Sequence, residues 1–106
     1  MIRPQSGFYK LPELDLSDIG IEDVINYVTN HGWKLSKNPS SHLLIFDGPP
    51  DNYGEPIRLI LPSNHNYIDV ELRMTEAIDL LANVEERDHK EILESLKDLQ
   101  QRYVSN

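Results

Sequence analysis

Four histidines are the side chains best suited to chemistry in this sequence, and they stand far apart along the chain. They are His31, His42, His65 and His89. No two of them share one predicted helix at a spacing of three or four residues, which would let a pair bind one metal ion. The chain contains no Cys, which excludes thiol catalysis, disulfides and cysteine-type zinc or iron–sulfur sites. We therefore expect neither a metal site nor another cofactor.

A further group of possible metal ligands lies in a segment rich in Pro and Gly. It consists of Asp47, Asp51 and Glu55. Three prolines interrupt this segment, and its spacing does not match that of a calcium-binding loop. The chain also lacks a Gly-x-Gly-x-x-Gly motif and a Walker loop for phosphate. We interpret the segment as a solvated acidic loop.

His42 is the candidate for general acid–base catalysis, because it stands just before a continuous apolar run, residues 43–46. At the start of a central strand its ring would be partly exposed, and imidazole titrates near neutral pH. It could then take a proton from a ribose 2′-hydroxyl or protonate a leaving oxygen. Ser41 does not form a dyad with it, because adjacent strand residues point to opposite faces. The alternative, which we favour, is a strand-edge histidine that only makes hydrogen bonds.

The elements that would position these residues begin with an amphipathic helix over about residues 19–31. Its apolar stripe follows the i, i+3, i+4, i+7 spacing and consists of Ile21, Val24, Ile25 and Val28. Ser17 or Asp18 can cap its start. Gly32 can end it in a left-handed conformation.

Three strands and two helices are predicted to follow. The strands lie at about 33–36, 43–46 and 57–61, with residues 47–56 as a loop. The helices span about 68–85 and 88–104, and Asp88 with Glu91 forms a capping-box-like start for the second. Short links favour an antiparallel meander of three strands packed by helices. The predicted fold class is therefore α+β, in the order α-β-β-β-α-α.

The 106 residues fit a single domain with three parts. Residues 1–16, with two prolines, form an extended arm, and residues 17–86 form the α+β core. Residues 87–106 form an amphipathic helix packed on the core or on a partner. This helix carries a coiled-coil-like apolar seam that we predict to bind a partner, namely Ile92, Leu96, Leu99 and Tyr103.

The charge balance narrows the classes of partner. Eighteen acidic residues against ten basic ones give a formal charge of −8, which counts against a large nucleic-acid interface. No apolar run is long enough to span a membrane, and the start shows no signal peptide. We therefore expect a cytoplasmic protein that binds another protein or a second copy of itself as a homodimer.

Tyr53 is an aromatic residue in the Pro- and Gly-rich loop. Exposed aromatics on loops often mark a binding surface, and they also pack back onto small domains to enlarge the core. Both interpretations stay open for Tyr53. A small-ligand sensor built around this loop is a third interpretation of the whole chain.

The order of short motifs resembles that of the HicA toxins, which are small messenger-RNA interferases with a double-stranded-RNA-binding-domain-like fold. The motifs are His31-Gly32-Trp33 after the first helix, Ser41-His42 before the central strand and Leu61-Pro62 closing the third. The resemblance implies that fold, with His42 as the catalytic residue. A ribonuclease of this kind would bind phosphate with bases on or beside the predicted sheet, namely Lys34, Lys37 and Arg58. Segments 46–57 and 72–81 look more like small uncharacterised bacterial proteins, which carry no known activity.

Two functions from different classes therefore stay open. The first, which we favour, is a non-enzymatic interaction or regulatory module, such as the antitoxin-like partner in a small bacterial operon. An acidic module of this kind could occupy a basic site on its partner. The alternative is a divergent HicA-like ribonuclease that uses the single catalytic histidine His42.

Overall fold

The computed structural model describes residues 11–37, 41–66 and 68–104. They form an α+β fold, and the predicted order of helix, three strands and two helices is confirmed. The elements are α1 (Ile21–Asn30), β1 (Lys34–Ser36), β2 (Leu43–Pro50), β3 (Pro56–Pro62), α2 (Val70–Glu85) and α3 (His89–Val104). Within these described ranges, every helix is too short or too polar to cross a lipid bilayer.

The strands form one antiparallel sheet in the order β1-β2-β3, as predicted. Phe46 of the central strand lies between Leu59 of β3 and the edge strand β1, and it shares the inner face of the sheet with Leu59. The neighbouring row of Lys34, Asp47 and Arg58 therefore points to the opposite side, the outer face. Phe46 and Leu59 are both buried in the core.

All three helices share one core with the inner face of the sheet. Fully buried side chains come from each of them: Val24 and Val28 of α1, Ile78 and Leu81 of α2, and Ile92 and Leu96 of α3. Burying one such side chain stabilises a fold by roughly 1.5–3 kcal/mol. Helix α3 therefore packs on the core of its own chain, which is one of the two placements that its sequence allows.

Helix α1 begins about two residues later than predicted. Residues 16–19 form a separate turn, so Ser17 and Asp18 do not cap the helix. Instead, the Gly20 N–H donates a 2.7 Å hydrogen bond to Asp23 Oδ2 in the first helical turn. This side-chain acceptor satisfies one backbone donor at the helix start, as the acidic residue of a capping box does.

Two helices end at a left-handed residue. Gly32 follows α1 with φ +88°, which confirms the predicted ending. Glu86 follows α2 with φ 55° and ψ 46°, although a side chain makes this conformation costly. Both Glu86 and Arg87 donate their backbone N–H to the Ala82 carbonyl, which closes the end of α2.

Arg87 joins the three helices at the turn between α2 and α3. Its Nη1 donates to Tyr27 Oη and to Glu85 Oε1, each at 3.0 Å. Its Nη2 donates to Ser95 Oγ at 2.7 Å and to the Glu91 carbonyl at 3.1 Å. The Tyr27 hydroxyl in turn donates a 2.7 Å hydrogen bond to Glu85 Oε1. Burial, and then this bond to Glu85, raise the pKa of Tyr27 to about 12.

The start of α3 contains the predicted capping-box-like pair, in which Asp88 Oδ1 accepts a long, 3.5 Å hydrogen bond from the Lys90 N–H. The Asp88 N–H donates a 3.0 Å hydrogen bond to Glu91 Oε1, which is the reach-back bond of that motif. His89, the first helical residue, places Nε2 2.8 Å from Asp79 Oδ1 on α2. The turn between the two helices is thus fixed by side chains on both sides.

The predicted arm of residues 1–16 is described only in part, since residues 1–10 lie outside the described residues. Residues 11–16 form neither helix nor strand. Leu14 and Leu16 of this part are half-buried and pack against the core. This described part of the arm therefore lies on its own domain.

The loop predicted over residues 47–56 is shorter than expected, because β2 continues to Pro50 and β3 begins at Pro56. Proline has no backbone N–H to donate to a neighbouring strand, so it is unfavourable in a strand that is paired on both sides. The short strand β1 pairs only with residues 45–47, so the prolines of β2 lie beyond it. At these positions β2 is paired with β3 alone, so no hydrogen bond to β1 is lost. The strand continues there with an irregular register between Asp47 and Pro50.

Candidate functional site

His42, the predicted acid–base residue, lies at the start of β2 and is exposed. Its carbonyl accepts a 3.0 Å hydrogen bond from the Ser63 N–H after β3. Ser63 Oγ also donates to the Ser41 carbonyl at 2.8 Å. These bonds close the end of the β2–β3 pair and fix the backbone around His42.

The predicted phosphate-binding residues do not gather around His42. Lys34 and Arg58 share one outer-face row with Asp47, and Arg58 Nε lies 3.3 Å from Asp47 Oδ1. Asp47 is five residues from His42 along β2, which is about 17 Å in a strand. Lys37 follows β1 and is the nearest of the three bases along the sheet register. The sheet therefore separates two of the three bases from the histidine.

The predicted partner-binding seam of α3 faces the core. Ile92 and Leu96 are fully buried, and Leu99 is partly buried against the same core. The side chain of Tyr103 lies outside the described residues. A partner that leaves the core intact therefore cannot contact Ile92 or Leu96.

Tyr53 stands at the end of the β2–β3 hairpin, in a segment that we call the hairpin tip, residues 49–56. The tip extends past β1, because β1 covers only residues 45–47 of β2. Tyr53 is 90% exposed. The structure thus presents this ring to solvent and does not pack it back onto the domain.

Asp51 fixes the backbone of the hairpin tip. Its Oδ1 accepts hydrogen bonds from the N–H groups of Tyr53 at 2.8 Å and Glu55 at 3.0 Å. Its backbone carbonyl accepts the Gly54 N–H at 3.1 Å, and its N–H donates to the Glu55 carbonyl at 2.7 Å. An Asp side chain that bonds the following backbone in this way holds a turn in one conformation. Tyr53 is therefore carried by an ordered turn.

Trp33 holds the base of the hairpin tip. The Trp33 side chain is buried and covers Gly48 so closely that an added Cβ there would lie 2.5 Å from Trp33 Cζ3. Carbon atoms in ordinary contact are about 3.5–4.0 Å apart. Only Gly at position 48 allows the indole to lie flat against β2 and fix the direction of the strand.

The sequence draws attention to Tyr53 but leaves its exposure open, and it does not indicate the residues that fix the ring. In the sequence, Asp51 stands out only as one residue of an acidic loop. However, Asp is typical of turns in which its side chain accepts a hydrogen bond from the backbone N–H two residues later. The contact of Trp33 with Gly48 joins residues 15 positions apart. No local pattern indicates a contact of that kind.

Charge is unevenly distributed between the helices and the sheet. Residues 11–33 and 68–104, which contain the helices, hold 15 of the 18 acidic residues and five of the ten basic ones. Residues 34–66, which contain the sheet, hold three of each. In the part of the chain that the structure describes, no group of three or more acidic or histidine side chains has the arrangement of a metal site.

Comparison with known proteins yields no relative: no family model, no curated protein and no solved structure matches this chain.

Proposed function

We propose that this protein is a non-enzymatic interaction module that binds a partner protein through its hairpin tip. One observation carries the proposal: Tyr53 is 90% exposed on a turn held by four hydrogen bonds to Asp51. Tyrosine is one of the residue types that contribute most binding energy in protein interfaces. A large exposed ring on an ordered turn is suited to enter a pocket on another protein.

The order of the turn favours binding because less conformational freedom is lost when the partner docks. Fixing a mobile side chain or loop on binding costs about 0.5–1.5 kcal/mol for each rotamer-rich side chain. Asp51 and Trp33 fix the tip before the partner arrives. The Tyr53 side chain itself has only two rotatable bonds, so little conformational entropy is lost when the ring is fixed on binding.

The charge of the tip indicates what kind of pocket would receive it. Asp51 and Glu55 flank Tyr53, and both are exposed. A complementary pocket would be apolar inside, to bury the ring, with basic residues at its rim. The acidic helices would also be complementary to a basic surface on the partner. This supports a regulatory, antitoxin-like role in which the module blocks that basic surface.

Purification of the tagged full-length chain from the cells that encode it tests this proposal, with protein and RNA scored separately. We expect a stoichiometric protein partner for the wild-type chain and its loss for Tyr53→Ala. Leu35→Ala is the matched control, because Leu35 is also a large exposed apolar residue, at 61%, on the edge strand away from the tip. Retention of the partner by Tyr53→Ala would overturn the role of the tip.

The ribonuclease alternative draws less support from the geometry, because Lys34 and Arg58 lie about 17 Å along the sheet from His42. It predicts that RNA copurifies and is released at moderate salt. It also predicts that expression is toxic and that His42→Ala relieves the toxicity. Self-association through the tip would appear in the same experiment as a homodimer, without a second protein.

A further inference from the structure

A cleft of about 450 Å³ opens between the end of α1 and the face of α3. We call it the α1–α3 cleft. Asn30 and His31 line it on one side, and Ser95, Asp98 and Arg102 line it on the other. Its volume falls in the range of small-molecule sites, which is about 300–1,000 Å³.

The lining of this cleft differs in charge from the surrounding helices. The helical segments hold three times as many acidic as basic residues, whereas the cleft is lined by two guanidinium groups and one carboxylate. Glu85 lies 3.0 Å from Arg87 and offsets its charge, so Arg102 is the cation that a ligand in the cleft would meet. Arg102 is exposed in the last turn of α3, where its guanidinium is available to a ligand.

Arg87 and Ser95 form an ordered wall of the cleft. Arg87 Nη2 donates to Ser95 Oγ at 2.7 Å, so the hydroxyl accepts on that side and keeps its own hydrogen for another acceptor. Arg87 itself is held by Tyr27, which also lines the cleft, and by Glu85, which does not. The Nη hydrogens of Arg87 are all used in these bonds and in the bond to the Glu91 carbonyl, so Arg87 positions the Ser95 hydroxyl, which needs no rearrangement before a ligand binds.

His31 supplies the opposite wall, and its tautomer follows from its hydrogen bond. Nδ1 lies 2.7 Å from the Tyr27 carbonyl, which can only accept, so Nδ1 carries the hydrogen. The His31 ring stacks on the Tyr27 ring with their centroids 4.1 Å apart. The exposed imidazole is thus fixed in position at the edge of the cleft.

We infer that the α1–α3 cleft binds a small molecule that carries an oxyanion, either a carboxylate or a phosphate. Arg102 pairs with its charge, since the guanidinium fork matches both groups, and the Ser95 hydroxyl donates a further hydrogen bond. Asp98 lies on the same face of α3 and opposes the anion, so it limits the affinity. This site is separate from the hairpin tip and does not depend on the proposed function.

Amide chemical shifts of the full-length chain, recorded during titration with sodium phosphate or sodium succinate, test this inference. Sodium chloride at matched ionic strength is the reference. We expect saturable shifts at residues 30–32 and 95–102 with at least one of the two anions. Phosphate alone, succinate alone or both would identify which oxyanion is preferred. Shifts that chloride reproduces, or shifts outside these residues, would overturn the inference.

Three variants separate binding from a general charge effect. Arg102→Ala should weaken binding at least tenfold, whereas Asp98→Asn should tighten it because the opposing carboxylate is gone. Lys90→Ala removes an exposed base of α3 that does not line the cleft, and it should leave the affinity within twofold of wild type. Equal losses for Arg102→Ala and Lys90→Ala would contradict a defined site. All three side chains are exposed, so folding should be unaffected.

Discussion

Gly48→Ala should loosen the base of the hairpin tip, because a methyl group at this position has no room. The added Cβ would lie 2.5 Å from Cζ3 and 2.6 Å from Cε3 and Cη2 of Trp33. Ordinary carbon contacts are about 3.5–4.0 Å, so the ring and the strand must separate by about 1 Å. The core holds the indole in place, since Trp33 is only 5% exposed.

The size of the effect follows from the area that the indole would lose. A Trp side chain buries about 150–250 Å², and exposing a quarter of it costs about 1–1.5 kcal/mol at 25 cal/mol per Å². An extra methyl group in a well-packed site typically costs about 1–3 kcal/mol in all, a range that includes this loss. We therefore expect the free energy of unfolding of Gly48→Ala to fall by about 1–3 kcal/mol.

Trp33 is the only Trp in the chain, so its fluorescence reports this site directly. Urea unfolding followed by Trp emission measures the change in stability, and the native emission should shift to longer wavelength in Gly48→Ala. Asn52→Ala is the control, because Asn52 is exposed in the hairpin tip and its substitution should leave the native emission unchanged. A Gly48→Ala protein with wild-type stability and emission would refute the packing of Trp33 on Gly48.

Three further predictions concern the helices. Arg87→Ala should lower the free energy of unfolding by about 2–3 kcal/mol, because Glu85 and Ser95 lose a charged partner, whereas Lys90→Ala should change it by less than about 0.5 kcal/mol in urea denaturation. Glu86→Gly should raise the melting temperature, with a gain of about 1 kcal/mol, because Gly adopts φ 55° without strain; no gain would contradict the left-handed end of α2. The pKa of Tyr27 should be about 12 in the folded protein, against about 10 in the unfolded chain. The contribution of Tyr27 to stability is therefore complete below pH 10 and is lost as the pH rises to 12. The difference in 295 nm absorbance between wild type and Tyr27→Phe, followed against pH, measures this pKa.

The fold could be predicted from the sequence because its signals are local. The apolar stripe from Ile21 to Val28 and the alternation in residues 57–61 follow the periods of a helix and a strand. The extent of β2 could not be predicted in this way. Pro49 and Pro50 indicate a loop unless it is known that β1 ends before reaching them, and strand pairing is a non-local property.

The candidate site could be predicted only in part, for related physical reasons. Tyr53 was identified from its place in a polar segment, but its exposure depends on how far the hairpin extends past β1. The apolar seam of α3 indicates burial without saying whether the covering surface belongs to the same chain. The structure places Ile92 and Leu96 in the chain's own core.

The affinity of the purified partner for this chain, measured by calorimetry, tests the role of the hairpin tip most directly. A central interface Tyr contributes at least about 2 kcal/mol, so Tyr53→Ala should weaken binding about 30-fold. Leu35→Ala should bind within twofold of wild type. Equal affinities for wild type and Tyr53→Ala would contradict the account.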